Sequence, residues 1–130
     1  MILPINKEKI AWLKEIEAFM KPPPACQEIA AVIFVILAEK KGHLKKPITW
    51  DDCKLMFRQN HNSKAVGAQK FYELLANYDY TTVKYKALAR VEKMMENPAL
   101  TPKNLRNISA WAEIMAKFVN NWLIAAREAK

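Results

Sequence analysis

The sequence contains very little glycine, cysteine or histidine. Among its 130 residues there are 2 Gly, 2 Cys and 2 His. Strands joined by tight hairpin turns usually need glycine, and no run of alternating apolar and polar residues is visible. Lysine, glutamate, alanine, leucine and methionine, which are good helix formers, are abundant instead. The composition therefore predicts an all-α protein.

No recognised catalytic or metal-binding motif is present. The chain lacks a glycine-rich phosphate loop and a nucleophile motif. Its side chains with sulfur or imidazole ligands show none of the usual metal-site spacings, and they are Cys26, Cys53, His43 and His61. We therefore expect this chain to be no enzyme, and to hold neither a metal nor a cofactor.

Long apolar runs are also missing. The longest, "IAAVIFVILA" at 29–38, is about half the length that a membrane-spanning helix needs. The first residues carry charges where a secretory signal would have its apolar segment. These features predict an intracellular chain with free thiols and no membrane association.

Positive charge is in clear excess. The chain has 21 Lys and Arg against 13 Asp and Glu, giving a net charge of +8. Such a balance favours a polyanionic partner, although it also serves solubility alone. A nucleic-acid-binding helical domain remains an alternative, but charge is its sole support because no recognition motif appears.

Apolar spacing and helix-breaking residues predict six helices. The run 29–38 is apolar on nearly every face, which is typical of a central core helix. Thr49 and Thr101 are expected N-caps, the latter followed by Pro102. The predicted helices cover 7–21, 24–38, 50–58, 68–78, 80–96 and an unbroken segment from 102 to 130.

Both end helices carry an apolar seam. Ile16 and Met20 belong to the first, and Met115, Phe118 and Trp122 to the last. A seam of this kind suits packing against one partner helix. We therefore predict a compact helical bundle of about six helices that caps a short antiparallel coiled coil formed by the N- and C-terminal helices.

The order of these features resembles the microtubule-binding domain at the stalk tip of dynein heavy chains. Prolines lead into the apolar helix 24–38, and Trp50 opens the helix that follows it. Within "LRNISAWAEIMAKFV" at 105–119, Ser109, Met115 and Lys117 fall in register, while Phe118 replaces the family tryptophan. The other matching segments are Pro22-Pro23, "FYELLANYD" at 71–79 and Asn97-Pro98.

The resemblance implies a division of the chain. Residues 1–21 would be the incoming strand of the stalk, 22–114 the microtubule-binding bundle, and 115–130 the end of the last helix continuing into the returning strand. The stalk hinge would consist of Pro22, Pro23 and Pro24. The chain would then be a segment of a longer, ATP-driven motor, and affinity would depend on the register of the two strands.

The resemblance also implies a binding surface, which consists of the helix 24–38, the loop after it and the start of the last helix. Gln27 stands where the family commonly has lysine, Asn107 where it has a basic residue, and Lys103 where it has an acidic one. The charge pattern is thus rearranged. The candidate residues are Gln27, Lys40, Lys41, Lys45, Lys46, Lys54, Arg58, Lys103, Arg106 and Asn107.

The partner implied is tubulin in the microtubule, with a leucine-rich-repeat dynein light chain as a further partner, and with neither nucleic acid nor membrane. The loop 59–67 looks longer than in cytoplasmic forms, and no long insertion follows the helix 24–38. These two features favour an axonemal chain, and therefore a cytoskeletal location in a cilium or flagellum. We expect the segment to be monomeric.

Overall fold

The computed structural model describes residues 7–40 and 47–130. Within these ranges the chain is all-α and contains no strand. The prediction of an all-α bundle is therefore confirmed. The α-helices are α1 (Lys7–Glu17), α2 (Pro24–Lys40), α3 (Trp50–Arg58), α4 (Lys64–Ala76), α5 (Tyr85–Met94), α6 (Pro102–Arg106) and α7 (Ala110–Glu128).

α2 lies at the centre of the bundle. It packs against α3, α5 and α7, as well as against the 3-10 turn Pro98–Leu100. Its buried side chains point in all directions, as the sequence predicts for a core helix, and those with no exposed surface are Cys26, Ile29, Ala30, Val32, Ile33, Val35 and Ile36. Burial of such a helix supplies much of the hydrophobic stabilisation of a small domain.

An aromatic cluster centred on Phe57 joins three helices. The ring of Phe57 meets Phe71 of α4 and Trp111 of α7 edge-on, each with a centroid distance of 5.4 Å. Trp50 packs on the same ring from about two turns earlier in α3, at 5.8 Å. Edge-to-face contacts of this kind add to the stabilisation from buried area, so they fix α3 between α4 and α7.

Two helix starts lie where the sequence predicts them. Thr49 caps α3, because its hydroxyl accepts the Asp52 N–H at 3.2 Å while the Asp52 carboxylate accepts the Thr49 N–H at 2.9 Å. Thr101 caps α6 through the N–H of Asn104 at 3.3 Å, and Pro102 is the first helical residue. Both N-cap predictions are confirmed.

The prediction of one unbroken helix from 102 to 130 is wrong. The chain turns at Asn107–Ser109, and both Ile108 N–H and Ser109 N–H donate to the carbonyl of Leu105. Ser109 adopts an extended backbone, and its hydroxyl accepts the Ala112 N–H at 3.2 Å as the N-cap of α7. A serine that caps a new helix competes with continuation of the old one, so α6 folds back against α7.

Three other helix boundaries differ from the prediction. α1 ends at Glu17 rather than at residue 21, and α4 begins at Lys64, capped by Ser63, inside the segment 59–67 that the sequence suggested was a loop. The predicted helix 80–96 is divided into a 3-10 turn, Tyr80–Thr82, and α5. The Asp79 carboxylate accepts the Thr81 N–H and so favours this short turn.

The two end helices are in contact, and each also packs against other helices. α1 packs on α3 and α4 as well as on α7. Near the end of α7, Arg127 Nη2 lies 2.7 Å from the Glu92 carboxylate of α5, and Trp122 meets Tyr78 edge-on. Both helices are thus part of the bundle. A two-stranded coiled coil made by residues 1–21 and 115–130 alone stays a prediction.

A substitution of Gly67 tests the close approach of α3 and α4. A Cβ atom at Gly67 would lie 2.6 Å from the carbonyl oxygen and 2.8 Å from the Cα of Arg58. Backbone cannot rotate away as a side chain does, so Gly67→Ala is expected to lower the free energy of unfolding by about 1–3 kcal/mol. Urea denaturation followed by circular dichroism measures this. Ala65→Ser, at an exposed site of α4, should change it by less than about 0.5 kcal/mol. Equal midpoints for all three proteins would contradict the packing.

Labelling of the thiols tests the burial of the core. Cys26 and Cys53 are both buried and free. Burial raises the pKa of Cys26, while burial, with a smaller contribution from the Asp52 charge, raises the pKa of Cys53 to about 12. Because the thiolate is the reactive form, neither thiol should react with a disulfide reagent near about pH 8 in the folded protein. Both should react after denaturation in guanidinium. Rapid labelling of the native chain would contradict the burial.

Candidate functional site

The segment between α1 and α2 forms a proline joint. The carbonyl of Pro23 accepts the N–H groups of Cys26 at 2.9 Å and Gln27 at 3.1 Å, so the helix begins directly after it. Pro24 is the first residue of α2, where its missing N–H would have had no helical partner. The sequence prediction that a helix restarts within the three prolines is confirmed. The role of Pro22–Pro24 as a hinge stays a prediction.

Gln27 braces this joint. Its side-chain Nε2 donates to the carbonyl of Pro22 at 3.0 Å, across the first turn of α2. Pro22 is buried, and Gln27 is half-buried. The Gln27 side chain thus makes a local hydrogen bond, while part of its surface stays accessible to solvent.

Two contacts join the start of α2 to the region before α7. The side chains of Cys26 and Ser109 lie close together, and Ser109 lowers the pKa of the Cys26 thiol against the larger raising effect of burial. Asn97 Nδ2 donates to the Glu28 carboxylate at 2.5 Å, while its Oδ1 accepts the Ala99 N–H at 3.0 Å. Because of these contacts the beginning of α2 and the segment 97–109 lie side by side. We call this surface, Pro24–Glu28 with Asn97–Ser109, the α2–α6 face.

Exposed polar and basic side chains cover part of the α2–α6 face. Lys103 and Asn107 are exposed, and Arg106 retains 64% of its side-chain surface. Arg106 Nε donates to a Glu113 carboxylate oxygen at 2.7 Å, and Lys117 Nζ lies 3.7 Å from the same oxygen. One carboxylate therefore faces two cations. With Lys103 beside them, this corner of the molecule has a positive net charge.

The charge cluster lowers the pKa of Glu113. The hydrogen bond from Arg106 is the largest cause, and the charges of Arg106 and Lys117 act in the same direction. Glu113 belongs to the first turn of α7, where a negative charge also suits the helix dipole. Glu113 therefore stays ionised under ordinary conditions and orients Arg106.

The structure places the predicted binding residues on different elements. Gln27 lies in the first turn of α2, whereas Lys103, Arg106 and Asn107 lie in the segment 97–109, whose two ends contact the start of α2. Lys40 is the last residue of α2, on the order of 20 Å along the helix from Gln27. Three predicted residues lie outside the described part of the chain, and they are Lys41, Lys45 and Lys46.

The two predicted residues on α3 belong to a different helix from this group. Lys54 is half-buried. Arg58 forms an ion pair with Glu17 of α1, and its Nη1 donates to the Asn62 carbonyl at 3.0 Å. Arg58 is thus occupied by contacts within the bundle, which the sequence pattern did not indicate.

An apolar groove borders the α2–α6 face and was missed from the sequence. It has a volume of about 220 Å³, and α1 and the start of α7 form its two walls. Phe19 is 40% exposed and Ile108 45%. The turn at Asn107–Ser109 exposes Ile108, and the only sequence signal for it was the capping serine that follows. The remaining lining residues are Trp12, Glu15, Ile16, Ser109, Ala110 and Trp111.

The described residues provide no evident chemistry of another kind. Within 7–40 and 47–130, no three His, Cys, Asp or Glu side chains come together as a metal site would require. None of the helices in these ranges is long and apolar enough to cross a bilayer. What the α2–α6 face offers is a fixed array of exposed cations, amides and an apolar edge.

Comparisons with known proteins identify three dynein heavy chains as relatives. The chain is 24% identical over 115 residues to the ciliary dynein beta chain of Tripneustes gratilla, covering 83% of this chain and 2% of that one. It is 24% identical over 120 residues to dynein axonemal heavy chain 6 of Homo sapiens, covering 92% and 2%. The ciliary dynein beta chain of Heliocidaris crassispina gives 24% over 115 residues, with 83% and 2% covered.

No family model matches the chain. No solved structure matches it either. The predicted resemblance to dynein heavy chains is confirmed by the three relatives, since the similarity covers most of this chain. The chain spans about 2% of the length of these relatives, so it corresponds to a short segment of them.

Removal of the Arg106 guanidinium tests the charge cluster. Arg106 holds the pKa of Glu113 below its ordinary value, so Glu113 should bind a proton only at a pH below the usual range for glutamate. In Arg106→Gln the pKa of Glu113 should rise towards that range, because the largest cause of the shift is gone. Carboxyl NMR titration of the unmodified protein and of the variant measures the Glu113 pKa in each. An unchanged Glu113 pKa in the variant would contradict the pairing.

Proposed function

We propose that this chain, similar over most of its length to a segment of axonemal dynein heavy chains, is a microtubule-binding module. The observation that carries the proposal is the α2–α6 face, where the start of the first bundle helix and the segment before the last helix meet. These are two of the elements that the resemblance implies for binding. The partner would be the acidic surface of tubulin.

The fixed geometry of the face supports this function. The Cys26–Ser109 contact, the Asn97–Glu28 hydrogen bond and the Glu113–Arg106 pair hold its parts in place before any partner arrives. A surface that is already ordered loses less conformational entropy on binding. Lys103, Arg106 and Asn107 would then meet tubulin as a preformed group.

Charge supports it as well. The chain carries a net charge of +8, and complementary potentials raise the rate of encounter with an acidic partner as well as its specificity. In the α2–α6 face the exposed apolar side chain of Ile108 lies next to this positive corner. An apolar contact surrounded by charged groups is a common arrangement at protein interfaces.

The division of the chain follows the same proposal. Residues 1–21 are the incoming strand of a stalk, 22–114 the binding bundle and 115–130 the beginning of the returning strand. A shift of one strand along the other would reach the bundle at Pro22–Pro24 and change the affinity of the α2–α6 face. The function of the segment is then mechanical, and nucleotide chemistry belongs to other parts of the parent motor.

The names of the relatives support a cilium or flagellum axoneme as the location, since they are ciliary and axonemal dyneins. A leucine-rich-repeat light chain remains a further proposed partner. A pull-down from axonemal extract with the tagged segment tests this second partner separately.

Co-sedimentation with polymerised tubulin over a series of salt concentrations tests the main proposal. Binding should be strongest at low ionic strength and should weaken as the Debye length falls to about 8 Å near physiological salt. Binding to subtilisin-treated tubulin and binding to beads with an uncharged surface are measured for comparison. Absence of binding at the lowest salt would rule the proposal out.

Charge reversal locates the binding surface. The double variant Lys103→Glu with Arg106→Glu should weaken binding about tenfold or more, since two favourable charge contacts become repulsive. The matched control is Lys84→Glu with Lys86→Glu, which makes the same change at exposed sites at the start of α5. Thermal unfolding checks that both variants fold. Equal losses in the two variants would indicate a nonspecific charge effect rather than the α2–α6 face.

A further inference from the structure

Three side chains of the bundle hold α1 and the linker after it by polar contacts. The Tyr72 hydroxyl donates to the carbonyl of Lys9 at 2.7 Å, near the beginning of α1. Arg58 forms an ion pair with Glu17, the last residue of α1. The indole N–H of Trp50 donates to the carbonyl of Phe19 at 3.0 Å. The contacts thus follow α1 from its first turn into the linker.

The Arg58–Glu17 pair differs from the other ion pairs of the molecule in its burial. Glu17 is 4% exposed and is the one charged side chain among the described residues that is buried. Arg58 retains 34% of its side-chain surface and is also held by the Asn62 carbonyl. A buried carboxylate is tolerated when a cation compensates it, and it is strongly destabilising when that cation is removed.

We propose that Arg58 and Trp50 form a clamp on the end of α1, and that Arg58 is a positioning residue for the α2–α6 face rather than a contact to the partner. The clamped residues are Glu17 and Phe19. This assigns Arg58 a different role from the one that the sequence suggests.

The path from the clamp to the face is short. Phe19 forms one wall of the groove whose other wall includes Ile108. Three residues further along the chain, the carbonyl of Pro22 accepts the hydrogen bond from Gln27 that braces the first turn of α2. A linker that is free at Glu17 and Phe19 leaves both of these features less ordered. The part of the inference that concerns binding rests on the proposed microtubule function.

A pair of variants separates the clamp from a general effect on folding. Arg58→Met leaves the Glu17 carboxylate buried without its cation, so the last turn of α1 should open to hydrate it. The double variant Glu17→Met with Arg58→Met replaces both charges by apolar groups of similar length, and no buried charge is left. The last turn should then close again, since such replacements of a buried ion pair are often neutral or stabilising.

Hydrogen exchange measures the first effect. The N–H groups of Ala18 and Phe19 donate to carbonyls of the last turn of α1. Their exchange should become about tenfold faster or more in Arg58→Met and should return close to the original rate in the double variant. Amides of α5 serve as the internal reference. Unchanged exchange in Arg58→Met, equal acceleration in both variants, or the same acceleration in α5 would each overturn the clamp.

Microtubule co-sedimentation measures the second effect. Arg58→Met should bind about threefold to tenfold more weakly, because the face must be ordered again on binding, and the double variant should regain affinity. If the two variants lose affinity equally, Arg58 contacts the partner and the positioning role is overturned. Faster exchange with unchanged affinity would overturn the coupling to the face. If the unmodified protein fails to bind, the proposed function fails, whereas the exchange experiment still decides whether the clamp exists.

Discussion

The burial of most of α2 is the constraint on which the rest of the structure depends. A helix that is apolar on nearly every face must be covered over most of its surface, and here α3, α5 and α7 do so. The positions of these helices then determine where the segments that connect them lie. Since Pro24 begins α2 and the proline joint precedes it, the connection from α1 reaches the bundle core at one end of this helix.

The α2–α6 face is a consequence of that arrangement combined with the turn at Asn107–Ser109. If α6 and α7 were one helix, Lys103 and Arg106 would continue its line away from the bundle. The turn instead sets α6 against α7, within the segment 97–109 whose two ends contact Cys26 and Glu28 at the start of α2. The turn therefore places basic side chains in a segment that contacts the start of α2, although the two are far apart in sequence.

Much of the fold is visible in the sequence because strong local signals agree with the tertiary structure. The apolar run 29–38 predicts the central helix, and Thr49, Thr101 and Pro102 predict two helix starts that the structure confirms. The break before Ser109 was missed because Asn, Ile and Ser are all tolerated in helices. Its cause is the capping bond of Ser109 together with the packing of α6 on α7.

The candidate site was less predictable than the fold for a physical reason. A basic residue on a helix carries the same local signal whether it faces solvent or a buried carboxylate. Lys103 and Arg58 therefore looked equivalent, although the first is exposed and the second is paired with Glu17 across two helices. The spacing of apolar residues along the chain does not show which charged residues distant in sequence form ion pairs. Such pairs become visible only once the positions of the helices in the fold are known.

Arg58 makes contacts through both its backbone and its side chain. Its carbonyl oxygen and Cα lie against Gly67, where α3 and α4 come close together, while its guanidinium reaches Glu17 on α1. The backbone contact with Gly67 does not depend on which side chain residue 58 carries. The attachment of α1 can therefore be weakened or strengthened by sequence changes at position 58 without separating α3 from α4.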